Sequence, residues 1–299
     1  MSLPNAFQHL LTQGVTDLLI HGPKRAQIDR GSGLEEISVD FGSESELRAL
    51  AIELALENGA RVDIAKPISD FSVGHIRCQV VLGGSVASQT QISFRRHPAV
   101  QVTLDHLLEA NMLEAHQAMR LREALANQET ILICGPTGSG KTTLLSALIF
   151  ESGQRVICIE QTPELSPQFP AIGLCEREAN QEGFGEINSN DLLKHALRMR
   201  PDRIALGEVR GKEFGSLLLA INNGHSALAT LHAESLEALP RRLSILGHIS
   251  GLDQHLGQQL LLGAVDLVVQ LSGSLPRKVV GIAKLAFQSN QLRAVPIDL

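Results

Sequence analysis

The rhythm of apolar and polar positions changes part-way along the chain. Ahead of His97 the apolar runs are short and broken by turn residues. Val15–Ile20, Arg25–Ile28 and Leu34–Val39 read as strands, with His21-Gly22-Pro23-Lys24 and Gly31-Ser32-Gly33 as turns. Leu47, Leu50, Ala51, Leu54 and Ala55 then recur at three- and four-residue spacing. Ser43 with Glu46 forms a capping-box pattern, so the spacing predicts a helix over Ser43–Glu57. Ile68–Ile76 reads as a loop, and Arg77–Val81 and Gln89–Phe94 as further strands. Together these predict a small α+β unit.

His97-Pro98-Ala99-Val100-Gln101 reads as linker. The expected division is an N-terminal α+β domain over 1–98, a linker over 99–104 and a second domain over 105–299. Two helices follow, Thr103–Ala110 and Leu113–Ala126. From Thr130 onward, apolar strands alternate with helices. The strands are Ile131–Cys134, Arg155–Ile159, Arg203–Leu206 and Ala227–Leu231; the helices are Lys141–Phe150, Asn190–Arg200 and Gly211–Asn222. Near-continuous apolar strands of this kind predict an α/β domain whose parallel sheet is covered on both faces. Val265–Leu271 and Val279–Leu285 are expected to complete the sheet.

Composition narrows the function classes. Of 299 residues, 43% are hydrophobic and 19% charged, as in a globular protein with a sizeable core. The net charge of −6 argues against a surface built to neutralise nucleic-acid phosphates. Trp and Tyr are absent, leaving nine Phe as the only stacking platforms for single strands. There is thus no signal for direct nucleic-acid binding. Cys78, Cys134, Cys158 and Cys175 form no CxxC pair, so neither a zinc clip nor a redox motif is expected, and a reducing compartment fits. The N-terminus has no signal-peptide pattern and no apolar run is long enough to span a bilayer, so a cytoplasmic location is expected.

Chemistry concentrates in the second domain. Thr130–Cys134 runs into Gly135-Pro136-Thr137-Gly138-Ser139-Gly140-Lys141-Thr142, which runs into a helix. This is the strand–loop–helix context of a P-loop. Glycines let the backbone N–H groups cradle phosphates, Lys141 reaches the β- and γ-phosphates, and the Thr142 hydroxyl ligates Mg²⁺. A chance match has odds of roughly one in a hundred for a chain this long, before the strand and helix are counted. ATP, Mg²⁺ and a binding segment extending through Thr143 are expected.

Arg203–Leu206, Gly207 and Glu208 read as a second strand ending on a carboxylate. At the C-terminal end of a parallel strand, Glu208 can hold a water on Mg²⁺ or orient the attacking water. Val156–Ile159 runs likewise into Glu160, with Glu164 four residues on; both can position water, although isolated loop carboxylates are as often merely solvated. His225, Thr230 and His232 bracket the strand Ala227–Leu231, and His232 is a candidate sensor of the γ-phosphate. A lone histidine is more often a surface or capping residue, and the P-loop context brings the two readings level. Arg198, Arg200, Arg203 and Arg210 cluster near these motifs, and Arg77, Arg95 and Arg96 lie in the first domain. Ordinary helix-end charge explains any one of them; candidate arginine fingers are Arg77, Arg95, Arg96, Arg198 and Arg210.

Taken in order, these motifs resemble the secretion-system traffic ATPases of type II and type IV secretion, pilus assembly and conjugation. Gly135–Thr142 resembles their Walker A box, Ile159–Leu165 their Asp box, Leu197–Gly211 their Walker B region and Gly224–Ala233 their His box. Thr16–Ile20 with Gly22-Pro23, Ile92–Arg96 and Ala264–Val269 look most like the Tad/Flp pilus branch. The resemblance implies a RecA-like P-loop motor domain behind a smaller N-terminal domain, with ATP held between them. It also implies a homo-hexameric ring that hydrolyses ATP, works on inner-membrane platform proteins and meets the membrane only peripherally. Gln161 stands where that family usually carries an aspartate, and the His box is one residue short. A nucleotide-gated structural subunit with little turnover, and a conjugation-type DNA-transfer motor, are the alternatives.

Overall fold

The computed structural model describes residues 3–297 except 13, 32, 75, 85, 97–100, 166, 178, 180–182, 274–275 and 289–290. Residues 97–100 of the linker read at His97–Gln101 therefore lie outside the described residues. The chain divides into two compact units, residues 1–99 and 100–299.

In the first unit a short α1 (Asn5–Gln8) precedes β1 (Asp17–His21), β2 (Arg25–Asp29) and β3 (Leu34–Ser38). Then come α2 (Glu44–Glu57), β4 (Ile68–Val73), β5 (Ile76–Val81) and β6 (Gln91–Arg96). The six strands form one sheet in the order β3-β2-β1-β6-β5-β4, with every neighbouring pair antiparallel. The helix starts where its cap predicts: Glu46 N–H donates to Ser43 Oγ at 3.3 Å and Ser43 N–H to Glu46 Oε2 at 2.7 Å. Its buried face, Leu47, Ala51, Leu54 and Ala55, shares a core with Leu18, Ile20, Cys78 and Phe94. Phe7 of α1 joins that core, with its ring centroid 5.2 Å from that of Phe94. One expectation fails here. The segment read as a loop is strand β4, hairpinned to β5 from Ile68↔Val81 to Val73↔Ile76. Ser69, Asp70 and Ser72 break the apolar pattern and hide the strand, which lies at the sheet edge, where exposed polar side chains such as Asp70 cost little.

The second unit begins with α3 (Leu104–Glu109) and α4 (Ala115–Ala126). It continues through β7 (Ile131–Cys134), α5 (Lys141–Ser152), β8 (Val156–Glu160), β9 (Ile172–Cys175), α6 (Ser189–Ala196), β10 (Arg203–Leu206), α7 (Glu213–Asn222) and β11 (Ser226–Leu231). It ends with α8 (Leu239–Ile249), α9 (Gln254–Ala264), β12 (Leu267–Leu271), β13 (Val279–Gln288) and β14 (Gln291–Pro296). The sheet order is β14-β13-β12-β7-β11-β10-β8-β9. From β12 to β9 the ladders are parallel, and β13 and β14 add antiparallel edges. Strands β7, β8, β10 and β11 are buried at every position, as a sheet covered on both faces requires. Leu144, Leu145 and Leu148 of α5 pack with Leu121 of α4 on one face. Leu217, Leu243 and Leu261, from α7, α8 and α9, pack on the other.

Parallel pairing puts all C-terminal strand ends on one edge. The registers Leu206↔Ile159, Leu206↔Ala229 and Leu231↔Cys134 align the residues that precede Glu160, Gly207, His232 and Gly135. The opposite edge is held by Arg203, which is fully buried. Its guanidinium donates to Glu129 O at 2.6 Å, Leu125 O at 3.2 Å and Gln154 Oε1 at 3.2 Å, while burial pushes its pKa down to about 10.

Candidate functional site

The loop between β7 and α5 is shaped by its glycines. Gly138 and Gly140 adopt φ of +76° and +96°, a region that favours glycine. A Cβ on Gly140 would also meet Met112 Cε at 2.8 Å. Lys141, only 7% exposed, turns its ammonium back along the loop and donates to Gly135 O at 2.9 Å and Pro136 O at 2.8 Å. Burial lowers its pKa, partly opposed by Glu208. Ser139 is 2% exposed, and its hydroxyl has no hydrogen-bond partner. A buried lysine and an unsatisfied hydroxyl beside the N-terminus of α5 form a ready anion site.

Two further strand ends meet at Lys141. His232, just past β11, places Nδ1 3.4 Å from Lys141 Nζ and Nε2 3.1 Å from Glu208 Oε1. An ammonium can only donate, so Nδ1 accepts and the ring proton sits on Nε2, pointing at the carboxylate. Burial and the Lys141 charge hold the imidazole below its ordinary pKa, against the pull of Glu208, which agrees with a neutral ring. Glu208 is also gripped by Arg210, whose other guanidinium nitrogen donates to Gln161 Oε1 at 3.1 Å. Burial pushes the Glu208 carboxyl up, but the Arg210 hydrogen bond and the charges of His232, Arg210 and Lys141 outweigh it, and its pKa lies below the ordinary value.

Glu160 has a different role in the geometry. It is 5% exposed at the end of β8, and its Oε1 accepts from the backbone N–H of Glu164 and of Leu165, both at 3.0 Å. It therefore ties the following loop to the sheet. Burial raises its pKa to about 7, against the lowering effect of those two hydrogen bonds. Gly207 is the residue that lets it fit, because a Cβ there would stand 3.0 Å from Glu160 Cγ. Thr230 closes the turn that carries Glu208: its hydroxyl donates to Gly207 O at 2.5 Å, and Val209 N–H to Thr230 O at 2.8 Å. Thr142 Oγ1 lies 3.5 Å from Glu164 Oε2. Thr142 and Glu208 offer hard oxygen donors, and among the described residues no three His, Cys, Asp or Glu gather as a metal cage. That donor set fits Mg²⁺, which keeps waters and takes oxygens from phosphates.

Not every candidate reaches this edge. His225 precedes β11 and so lies at the other end of the strand from His232. Arg198 and Arg200 follow α6 and lead into the N-terminal end of β10, roughly 10 Å of strand from its far end. With Arg203 they belong to the opposite edge, so the sequence cluster of four arginines is split and only Arg210 faces Lys141. Of the first unit's candidates, Arg77 and Arg95 are cross-strand partners on the sheet face away from α2, paired with Asp70 at 2.6 Å and Asp17 at 2.7 Å. Arg96 donates to Leu11 O at 2.5 Å. Two residues near the loop carry no sequence signal. Met112 and Arg277 both lie against Gly140, brought there by the pairing of Val279 N–H with Met112 O.

The family model described as "Type II/IV secretion system protein" matches residues 75–285. A putative conjugal transfer protein of Mycobacterium tuberculosis is 36% identical over 302 positions, covering 96% of this chain and 86% of the relative. The type IV secretion system protein VirB11 of Bartonella henselae is 28% identical over 304 positions, covering 87% and 85%. Among solved structures, the pilus retraction motor PilT with bound ADP superposes with a TM-score of 0.66 at 18% identity, over 99% of this chain and 83% of that one. That likeness shows the fold: a RecA-like P-loop unit preceded by a smaller α+β unit, as the family resemblance implied.

Proposed function

The chain belongs to the type II/IV secretion system protein family, and from that premise we propose that it is an ATP-hydrolysing motor of a secretion or pilus system, acting as a homo-hexamer. The observation that carries the reading is the contact chain from Lys141 through His232 to Glu208, laid across three adjacent strand ends. Lys141 is the group that reaches the polyphosphate, Glu208 the base, and neutral His232 the link between them.

ATP binds at Gly135–Thr143, and its phosphates are stronger anionic partners for Lys141 and Arg210 than those they now hold. Arg210 then leaves one Glu208 oxygen free for a water. The water attacks the γ-phosphorus in line, the bond to the β–γ bridging oxygen breaks with its electron pair leaving on ADP, and the water's proton passes to Glu208. Mg²⁺ would be held by the Thr142 hydroxyl and, through water, by Glu208, and would supply charge neutralisation on the phosphate oxygens. Glu160 and Glu164 keep the loop after β8 in place. Arg77, Arg95 or Arg96 of a neighbouring subunit supplies the finger that stabilises charge on the leaving phosphate.

Among the described residues no helix is long and apolar enough to cross a membrane. We place the protein on the cytoplasmic side, joined to the membrane through platform proteins. The segments around Gly22-Pro23, Ile92–Arg96 and Ala264–Val269 favour a Tad/Flp-like pilus motor. A second reading, conjugative DNA transfer, is favoured by the name of the Mycobacterium tuberculosis relative. Steady-state phosphate release from the purified ring is the test, with Lys141→Ala and Glu208→Gln as controls. Release that falls by about a hundredfold or more in both variants supports the motor. A wild-type rate no higher than that of Lys141→Ala refutes it in favour of a nucleotide-gated structural subunit. DNA binding that weakens steeply with salt supports the conjugation reading.

A further inference from the structure

The phosphate-binding loop has two flanks, because β7 lies between β11 and β12 in the sheet. The β11 flank holds the groups already described: His232 against Lys141 Nζ and, one strand further, Glu208. The β12 flank is lined by the connection from β12 to β13. Parallel pairing sets Gln270 beside Cys134, so the connection leaves β12 where the loop leaves β7. Three glycines record how closely the two run. A Cβ on Gly135 would stand 3.1 Å from Leu271 Cβ, and one on Gly273 2.8 Å from Pro136 Cγ. One on Gly140 would stand 2.8 Å from Met112 Cε and 3.5 Å from Arg277 Cδ. The backbone of the connection is fixed by hydrogen bonds. Ser272 N–H donates to Lys278 O at 2.8 Å, Lys278 N–H to Ser272 Oγ at 3.0 Å, and Val279 N–H to Met112 O at 2.8 Å. Met112 is buried, whereas Arg277 is exposed. Cδ is the last carbon of the arginine stem, so the guanidinium begins one bond beyond its contact with the loop. Among the described residues no carboxylate pairs with it.

We propose that Arg277, backed by Met112, covers the nucleobase of a nucleotide whose phosphates lie on Gly135–Thr143. The inference rests on the nucleotide-binding reading above and adds to it the opposite end of the ligand. A polyphosphate whose terminal phosphate faces Lys141, His232 and Glu208 directs its other end away from β11. Its nucleoside then emerges on the β12 flank, where α5 begins and where Met112 and Arg277 close on Gly140. The chemistry of the pair suits a base. A guanidinium is planar, weakly hydrated and stacks on aromatic faces. A thioether is polarizable and packs against ring edges. The hydrogen bonds of Ser272, Lys278 and Val279 hold the backbone beside Arg277 in place before a ligand arrives, so less freedom is lost on binding.

The experiment uses the full chain and displacement of a fluorescent ADP analogue by ADP and by inorganic triphosphate, which carries phosphates and no base. Arg277→Ala is expected to weaken ADP about tenfold, the loss of one cation–π contact shielded from water, and inorganic triphosphate less than about twofold. Arg277→Lys, which keeps the charge and loses the plane, is expected to remain at least about threefold weaker than wild type for ADP. The thermal midpoint without nucleotide is expected to stay within about 2 °C of wild type, because the side chain is exposed. Equal weakening of the two ligands puts Arg277 on the phosphates and overturns the inference. Unchanged ADP affinity in Arg277→Ala, or full recovery in Arg277→Lys, overturns it as well. Lys141→Ala separates the two claims. If it leaves both affinities intact, the nucleotide-binding reading fails and this inference with it. If it abolishes both while Arg277→Ala leaves ADP affinity intact, this inference alone fails.

Discussion

Glu160 gives the sharpest physical test of the site. Its carboxyl is buried at the end of β8, and its pKa rises from the ordinary 4.5 to about 7 in the folded chain. Between those two values the folded protein holds a proton that the unfolded chain releases. Stability contributed by this group therefore falls as pH rises through that window, and above about pH 7 the full penalty is present. A rise of this size corresponds to a penalty of about 3 kcal/mol, taken as a ceiling. Glu160→Gln removes the titration and keeps the shape. Its amide oxygen accepts from Glu164 N–H and Leu165 N–H as Oε1 does now, and its NH₂ group faces the strand end. The variant is expected to match wild type near pH 4.5 and to exceed its stability by up to about 3 kcal/mol at pH 8.5. Urea unfolding without nucleotide at the two pH values reads this directly, as the difference in midpoint multiplied by the slope. A wild type and a variant whose stability difference does not change with pH would refute the burial argument. So would a variant less stable at pH 8.5 than at pH 4.5 relative to wild type.

Other substitutions probe the remaining geometry. Arg203→Ala strips the donors from Leu125 O and Glu129 O and leaves a cavity, so chemical denaturation should report a loss of about 3 kcal/mol or more. Gly207→Ala drives a Cβ to 3.0 Å from Glu160 Cγ; overpacking of this kind costs roughly 1–3 kcal/mol, and phosphate release should fall while ADP affinity holds within about twofold. His232→Ala should lower phosphate release by about tenfold or more, whereas His225→Ala, at the other end of β11, should leave it within about twofold of wild type.

How far these sites were legible in the sequence depended on whether their chemistry is local. The P-loop is local: Gly138, Gly140 and Lys141 act through a backbone turn that eight consecutive residues define, and the structure finds strand, loop and helix where the pattern puts them. Glu160, Glu208 and His232 were legible as strand-end residues because buried parallel strands announce themselves as apolar runs. Helices α8 and α9 give no clear signal in the sequence, since Gly247, Gly257 and Gly263 interrupt them and their apolar stripes are narrow. Arg203 was misplaced for the opposite reason. It stands five residues before Glu208, and sequence proximity carries no information about which end of a strand a side chain occupies.

The sequence alone determined the class of this protein. A 299-residue chain with this P-loop, between an apolar strand and a helix, contains a phosphate-binding α/β unit whatever surrounds it. Only the tertiary structure decided which charges meet. Strand order brings β11 between β7 and β10, so that His232 bridges Lys141 and Glu208 although 91 residues separate the first pair. The physical reason is that parallel pairing aligns C-terminal strand ends across the sheet, while the order of strands within it is set by crossovers packing against both faces. Periodicity in the chain records burial and does not record order. The same pairing sent Arg198, Arg200 and Arg203 to the far edge and left Arg210 at the site.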